Sequence, residues 1–388
     1  MLTALNQNKK SFVAPLLSRS ELDEIRKEDL TCPSCRQPVL LKAGKIKIPH
    51  FAHLAKSTCK FGSKESIEHL EGKLILFKWL QAQEIPARLE YFIPSIQQRI
   101  DILVKWNNQF YGLEYQCSKI PYEQLRERSE GMMSLGITPI WIFGMKFLNR
   151  KRNSHLGLTS LLQTSIIHFP EVASSRIFFL NSLMKDFQIF YPKARLNHTA
   201  FGGFIQKPIT NLSFPELFSL ENNHSVNYSF TWLNWKKSLR TKPPFAMTEL
   251  EYNFMKYLYF RQLHPQNLPS IIGLPSINSW HYLQPDYIWQ SAFIIDYYTK
   301  IPVGESFTYQ EAYRSVAKYF QEKLTTVYPS PSIHPLYSYL LLLEELCYVK
   351  STNRSTFKKC KQVLFPKTLD QALLFDQNLM YLLNKLRS

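Results

Sequence analysis

Asp101, Glu114 and Gln116 fall in two short apolar runs, 99–104 and 111–118, joined by Trp106-Asn107-Asn108-Gln109. The spacing reads as two strands and a hairpin turn. Strict alternation puts Ile100, Ile102 and Val104 on one side, with Arg99, Asp101 and Leu103 on the other. In the second strand Leu113, Tyr115 and Cys117 share one face and Gly112, Glu114 and Gln116 the opposite one. Carboxylates in mid-strand are costly unless something pairs with them. A divalent cation, magnesium or manganese, is the simplest partner, with substrate phosphate completing its shell. Without one, Asp101 and Glu114 read as solvated charges on an exposed face, paired with Arg99.

A second set of donors lies near the start of the chain. Cys32-Pro33-Ser34-Cys35 is followed by His50, His53 and Cys59. A tetrahedral zinc site needs four ligands and five are offered. The favoured set is Cys32, Cys35, His53 and Cys59, with His50 in reserve. A small module of this kind has little core, so a structural metal would contribute folding energy directly. The other reading is buried thiols and packed histidines.

Several elements must position these groups. Ser20 is placed to cap a helix over 21–28. The residues 39–41 and 46–48 read as a hairpin around Ala43-Gly44 leading into His50 and His53. The 63–83 stretch reads as a helix whose buried stripe is Ile67, Leu70, Leu74 and Phe77, interrupted by Gly72, where helix and sheet or ligand approach closely. Glu65, His69 and Lys73, spaced by four, form a second stripe. A strand over 87–93 precedes the hairpin. Pro121 opens a helix over 122–135, Gly136 ends it, and 139–144 is an apolar strand of the kind found inside a sheet. The basic run 149–154 is read as a linker. Beyond it come a strand over 177–180 and helices over 247–260, 289–298, 309–324, 335–347 and 370–386. The residues 348–361 read as a basic wing after a helix.

The order of helix, three strands, helix and strand is that of a minimal α/β core with a mixed sheet. Asp101, then Glu114-Tyr115-Gln116, resembles the metal core of restriction-endonuclease-like nucleases, with Gln116 where those carry lysine. The wider set is similar to the competence protein CoiA family: Glu65-Ser66, His69 to Lys73, Arg99-Ile100-Asp101, Glu114 to Ser118, Glu127-Arg128 and 139–144. The resemblance covers residues 1–150 in ordered motifs. It implies a restriction-endonuclease-like mixed-sheet core with a small zinc-finger-like β module before it and a mostly helical region after it. The corresponding divisions are 1–61, 62–150 and 155–388. It implies Glu65, with Glu68 as competitor, as an acid near the metal. His69 and Lys73 would position phosphate or water, and Arg128 would touch phosphate, with Arg99 and Arg126 as further candidates. Gln116 would orient a water. The expected role is processing of incoming single-stranded or branched DNA during transformation and recombination, in company with recombination proteins. The alternative is a DNA-binding recombination factor with weak or no cleavage on the same fold.

The net charge of +17 is uneven. Residues 61–150 are nearly neutral and the basic excess flanks them, which suits a polyanionic partner with acids kept for metal. The six cysteines suit a reducing compartment. No window is apolar enough to span a membrane and the first residues lack a secretory pattern, so the expected location is the cytoplasm. No phosphate-binding glycine loop or dinucleotide fingerprint occurs, which argues against nucleotide use.

Overall fold

Apolar residues in 87–208 are too dense for a half-exposed sheet, and the central strands they form, such as 137–144 and 186–196, are buried on both faces. The structure, a computed structural model, describes residues 1–44, 47–55, 57–61, 65–152, 154–169, 174–220, 227–242, 247–321, 323–324 and 333–387. Ile46, the start of the expected second hairpin arm, and Ser63, the expected helix start, lie outside the described residues; the first arm pairs with 50–53 instead of 46–48.

The N-terminal part contains β1 (Thr3–Leu5), β2 (Ser11–Val13), α1 (Arg19–Ile25), β3 (Val39–Lys42) and β4 (His50–His53). β1 pairs with β2 and β3 with β4, both antiparallel. The helix cap is Ser18 rather than Ser20. Its side chain accepts from the Glu21 amide while the Glu21 carboxylate accepts from the Ser18 amide, a reciprocal pair of bonds.

Next come α2 (Ile67–Gln81), β5 (Ala87–Ile93), β6 (Gln98–Trp106), β7 (Gln109–Gln116), α3 (Tyr122–Met133) and β8 (Ile137–Gly144). The expected run of six elements is present. It does not end there. β9 (Arg150–Arg152) and β10 (His155–Gly157) form an edge pair, so the expected linker is largely part of the sheet. Then follow α4 (Ser160–Thr164), β11 (Ile167–Phe169), β12 (Ser174–Asn181), β13 (Asp186–Leu196) and β14 (Thr199–Pro208). One ten-stranded mixed sheet results, in the order β5-β6-β7-β8-β12-β13-β14-β10-β9, with β11 against β12. β7, β8 and β12 are mutually parallel and the remaining pairs antiparallel.

α2 covers one face through Leu70, Leu76, Phe77 and Leu80 on Ile102, Val104, Leu113 and Ile142. Ile67, expected in the buried stripe, is exposed. Gly72 marks the close approach of helix and sheet: a Cβ there would overlap the Tyr115 ring. α3 covers the other face, tied to β8 by the Trp141 indole donating to Ser129 Oγ at 2.9 Å.

The remainder is α5 (Glu216–Ser219), α6 (Ser229–Thr241), α7 (Glu249–Tyr259), α8 (Asp286–Ala292), β15 (Ser306–Thr308), α9 (Tyr309–Val316), α10 (Pro335–Glu345), β16 (Val349–Asn353), β17 (Thr356–Lys359) and α11 (Leu369–Arg387). This mainly helical region has its own core, into which Ala194, Leu196 and Phe201 of β13 and β14 project. The expected wing is the β16–β17 hairpin, joined by β15. Lys359 is not available to a phosphate. It is fully buried, and its ammonium donates to the carbonyls of Tyr298 and Ile301.

Candidate functional site

The alternation expected for β6 breaks at Asp101. Ile102 and Val104 lie in the core under α2, whereas Ile100 packs with Met132 of α3. Across the sheet Glu90 of β5 has φ +51°, a left-handed conformation rare away from glycine. The distortion turns the Asp101 carboxylate toward α2, where Oδ2 lies 3.1 Å from His69 Nε2 and accepts from the Tyr115 amide at 3.1 Å.

Around Asp101 four carboxylates interleave with four basic side chains. Lys73 donates to Glu90 Oε1 at 2.6 Å and Glu65 Oε1 at 2.9 Å, and stands 3.8 Å from Asp101. Arg99 donates to Glu65 at 2.8 Å. Arg128 of α3 donates to Glu114 Oε2 at 2.6 Å and lies over the Trp141 ring. The other Glu90 oxygen accepts from the Leu2 and Thr3 amides and from the Thr3 hydroxyl, at 2.9–3.0 Å. The α-amino group of Met1 is 3.0 Å from Glu65 Oε2.

These contacts set the charge states. Burial alone would raise Asp101, yet His69 and Lys73 hold its carboxyl well below the usual range. Burial opposes ionisation of Glu90 too, and Lys73 and Arg99 outweigh it. Burial works against the Lys73 charge, but Glu90, Glu65 and Asp101 hold it above the ordinary lysine range. Glu114 goes the other way. Burial pushes its carboxyl up to about 8, against the pull of Arg128 and with the push of Asp101, to which it hydrogen-bonds.

Two like-charged groups in that contact keep a proton unless a cation replaces it. The donor chemistry of Asp101 and Glu114 therefore fits a hard divalent cation. Glu65 is not a third ligand in this arrangement, being committed to Lys73, Arg99 and Met1. Glu68, its competitor, lies on the far side of Tyr115, near Gly144 and Cys117.

An open cleft of about 620 Å³ lies over this network, lined among others by Glu65, His69, Arg99, Asp101, Gln116 and Arg128. Arg99 Nη1 is buried there without a hydrogen-bond partner among the described residues. The Gln116 amide turns aside to Ser118, donating to its carbonyl and hydroxyl. Lys73 does not line the cleft. With no solvent exposure, it positions acids rather than meeting substrate. Arg126 is outside as well, half-exposed and 3.9 Å from Glu130 on its own helix. Sequence reasoning missed Glu90, which looks like any charged strand residue until its four donors are seen, and Lys60, which lines the cleft wall.

The second set of donors is assembled. One ligand atom from each of Cys32, Cys35, His53 and Cys59 lies within 4.8 Å of all the others, and this Cys3His cluster could hold a structural metal such as zinc. His50 is elsewhere, its Nδ1 2.9 Å from the Ile48 carbonyl. Burial lowers the His53 pKa, with the Met1 amine and Arg99 adding to it, which favours the neutral ring a metal needs. No described helix is long and apolar enough to cross a membrane.

Family models of competence protein CoiA match the chain in order. The N-terminal domain matches residues 15–62, the nuclease-like domain 65–222 and the C-terminal domain 228–373. Competence protein CoiA of Bacillus subtilis (strain 168) is 28% identical over 285 residues, covering 71% of this chain and 74% of that protein. No solved structure matches it.

Proposed function

The chain belongs to the competence protein CoiA family, and we propose that it is a metal-dependent deoxyribonuclease acting on incoming DNA during transformation and recombination. The observation that carries this reading is the Asp101 carboxylate in the wall of an open cleft beside His69, Arg99 and Arg128, with the buried Glu114 held next to it by Arg128. Magnesium or manganese held by Asp101 and Glu114 would supply a bound water of lowered pKa and charge for the phosphate. The remaining work falls to side chains. Arg99 Nη1, buried and unpaired, offers a hydrogen bond to a phosphate oxygen. Arg128 covers Glu114 and can swing to substrate once that carboxylate is ionised and otherwise engaged. His69, held by Asp101, is placed to exchange a proton at Nδ1. Gln116 orients a water by hydrogen bonding but brings no charge. The Cys32, Cys35, His53 and Cys59 cluster holds zinc as a structural support, and the partner is single-stranded or branched DNA.

Asp101→Asn keeps the side chain's shape and removes its charge. Cleavage of single-stranded and branched DNA in magnesium or manganese should vanish, while DNA affinity should hold or rise slightly as an anionic site is neutralised. Gln116→Lys should retain or increase cutting by adding charge at the cleft. A second reading, a DNA-binding recombination factor that does not cut, is favoured by one feature: no lysine from position 73 or 116 reaches the cleft. Wild-type protein that never cuts, together with an Asp101→Asn strain that transforms normally, would leave that reading in place of the first.

A further inference from the structure

Beyond the C-terminal end of α3, on the same face of the sheet, a second groove of about 590 Å³ is open to solvent. Its inner wall continues the small core that seats α3: Ile93 and Ile137 are buried there, and Tyr91 and Leu103 pack on them. Its rim is different. Phe110 is 42% exposed and Leu135 43%. The Arg88 guanidinium lies over the Tyr91 ring, 5.7 Å from its centroid, and Lys105 stands beside it. No carboxylate is among the lining residues.

The exposed Phe110 ring and the part-buried Tyr91 ring, beside Arg88 and Lys105 with no carboxylate among the described lining residues, suit an anionic, planar occupant. Bases stack on any aromatic face, and phosphates follow the cations. The groove and the cleft border the same elements. Tyr91 and Ile93 of β5 line the groove and the turn that follows brings Ile96 and Gln97 to the cleft, while α3 carries Arg128 in the cleft and ends at Met133, two residues before Leu135 in the groove. We infer that the groove is a stacking platform for single-stranded nucleic acid. Bases lie on Phe110 and Tyr91, phosphates on Arg88 and Lys105, and the strand leads along α3 to Asp101. A duplex hides its base faces, so the platform selects unpaired strand. The inference rests on the reading of the cleft as a nucleic-acid-processing site.

The test uses the full chain and two fluorescent probes of equal length, oligothymidylate and an abasic strand, compared by anisotropy across a salt series. Phe110→Ala should weaken oligothymidylate binding by about tenfold or more and leave abasic binding unchanged, with Phe110→Tyr restoring it. Arg88→Ala with Lys105→Ala should weaken both probes and reduce the salt slope by about 2. Phe110 is exposed, so its replacement leaves the core intact, and a thermal melt verifies this. The platform is overturned if Phe110→Ala and the double variant bind both probes as wild type does while wild type cuts DNA. It is equally overturned if Phe110→Ala dissolves a dimer in sedimentation without changing oligothymidylate binding, since a second copy would then be the occupant. Groove-dependent binding by a protein that never cuts would keep the platform and remove the nuclease reading. Wild-type protein that binds neither probe would remove both.

Discussion

Lys73 carries its charge without solvent contact, between Glu65 and Glu90. Such a residue is held in place by what its loss would expose. Lys73→Met would leave two buried carboxylates short of a cation, an arrangement that costs about 3–5 kcal/mol. Urea denaturation of this variant should show that loss in full, and cleavage should fail only as the fold does. An active-site lysine that met the phosphate would behave oppositely, with activity lost and stability nearly kept. The sequence shows Glu65, His69 and Lys73 as a stripe; His69 and Lys73 meet Asp101, and Glu65 joins them by pairing with both. What spacing cannot show is which side of the network each one occupies. That depends on the break in β6 at Asp101 and the left-handed Glu90, and nothing in the local sequence marks either.

At the scale of elements, the N-terminal module is built into the sheet domain. Leu2 shares the core of α2 and β5, and the Leu2 and Thr3 amides satisfy Glu90. The Met1 carbonyl accepts from the Phe51 amide of β4, next to the zinc-type cluster at His53. Cys32→Ser with Cys35→Ser should therefore do more than unfold residues 1–61. It should raise amide exchange in β1 and also lower the melting temperature of the sheet domain, because Glu90 loses donors. Elemental analysis of wild-type protein should find about one zinc per chain, and its absence would remove the premise. α6 gives a separate test. Burial drives the Lys236 ammonium down to about 7, although Asp376 pulls upward, and its Nζ donates to the Pro269 and Ile272 carbonyls. Below pH 7 native and unfolded chains both carry the charge. Between about 7 and the unfolded value of 10.5 only the unfolded chain does, so it binds more protons and stability rises with pH across that window. Lys236→Met should lack this rise in pH-dependent urea melts. Helices were the legible elements: α7, α10 and α11 lie close to where caps, prolines and apolar spacing put them. β13 and β14 were not. β13 is buried on both faces, so it shows no alternation, Pro192 sits at a register shift, and β14 carries Gly202 and Gly203.

Over the whole molecule, the boundary between sheet and helices does not fall at the basic run. The sheet continues to Pro208, and Arg195 of β13 donates to the Tyr282 and Gln284 carbonyls of the helical region. A run of lysine and arginine looks like a linker because charge is usually solvated, yet charged residues are equally at home on an edge strand. The consequence is testable by truncation. A chain ending at 150 would strip β12 from β8, whose eight residues are all buried, and leave an apolar, unpaired parallel strand at a new edge. Such an edge is an aggregation template. A chain ending at 220 keeps β8 paired, keeps Phe214 and Leu217 in the core under α2, and retains the Leu217 and Leu220 carbonyls that receive the buried Arg176. Its exposed cost falls on Ala194, Leu196 and Phe201, which would lose the helical core, and on Arg195 and Gln163, which would lose their carbonyl partners there. Expressed side by side, the 1–220 chain should be recovered soluble with a cooperative melt, and the 1–150 chain should be recovered only as aggregate. A 1–150 chain that stays monomeric and melts cooperatively would show that β12 is not needed to complete the sheet.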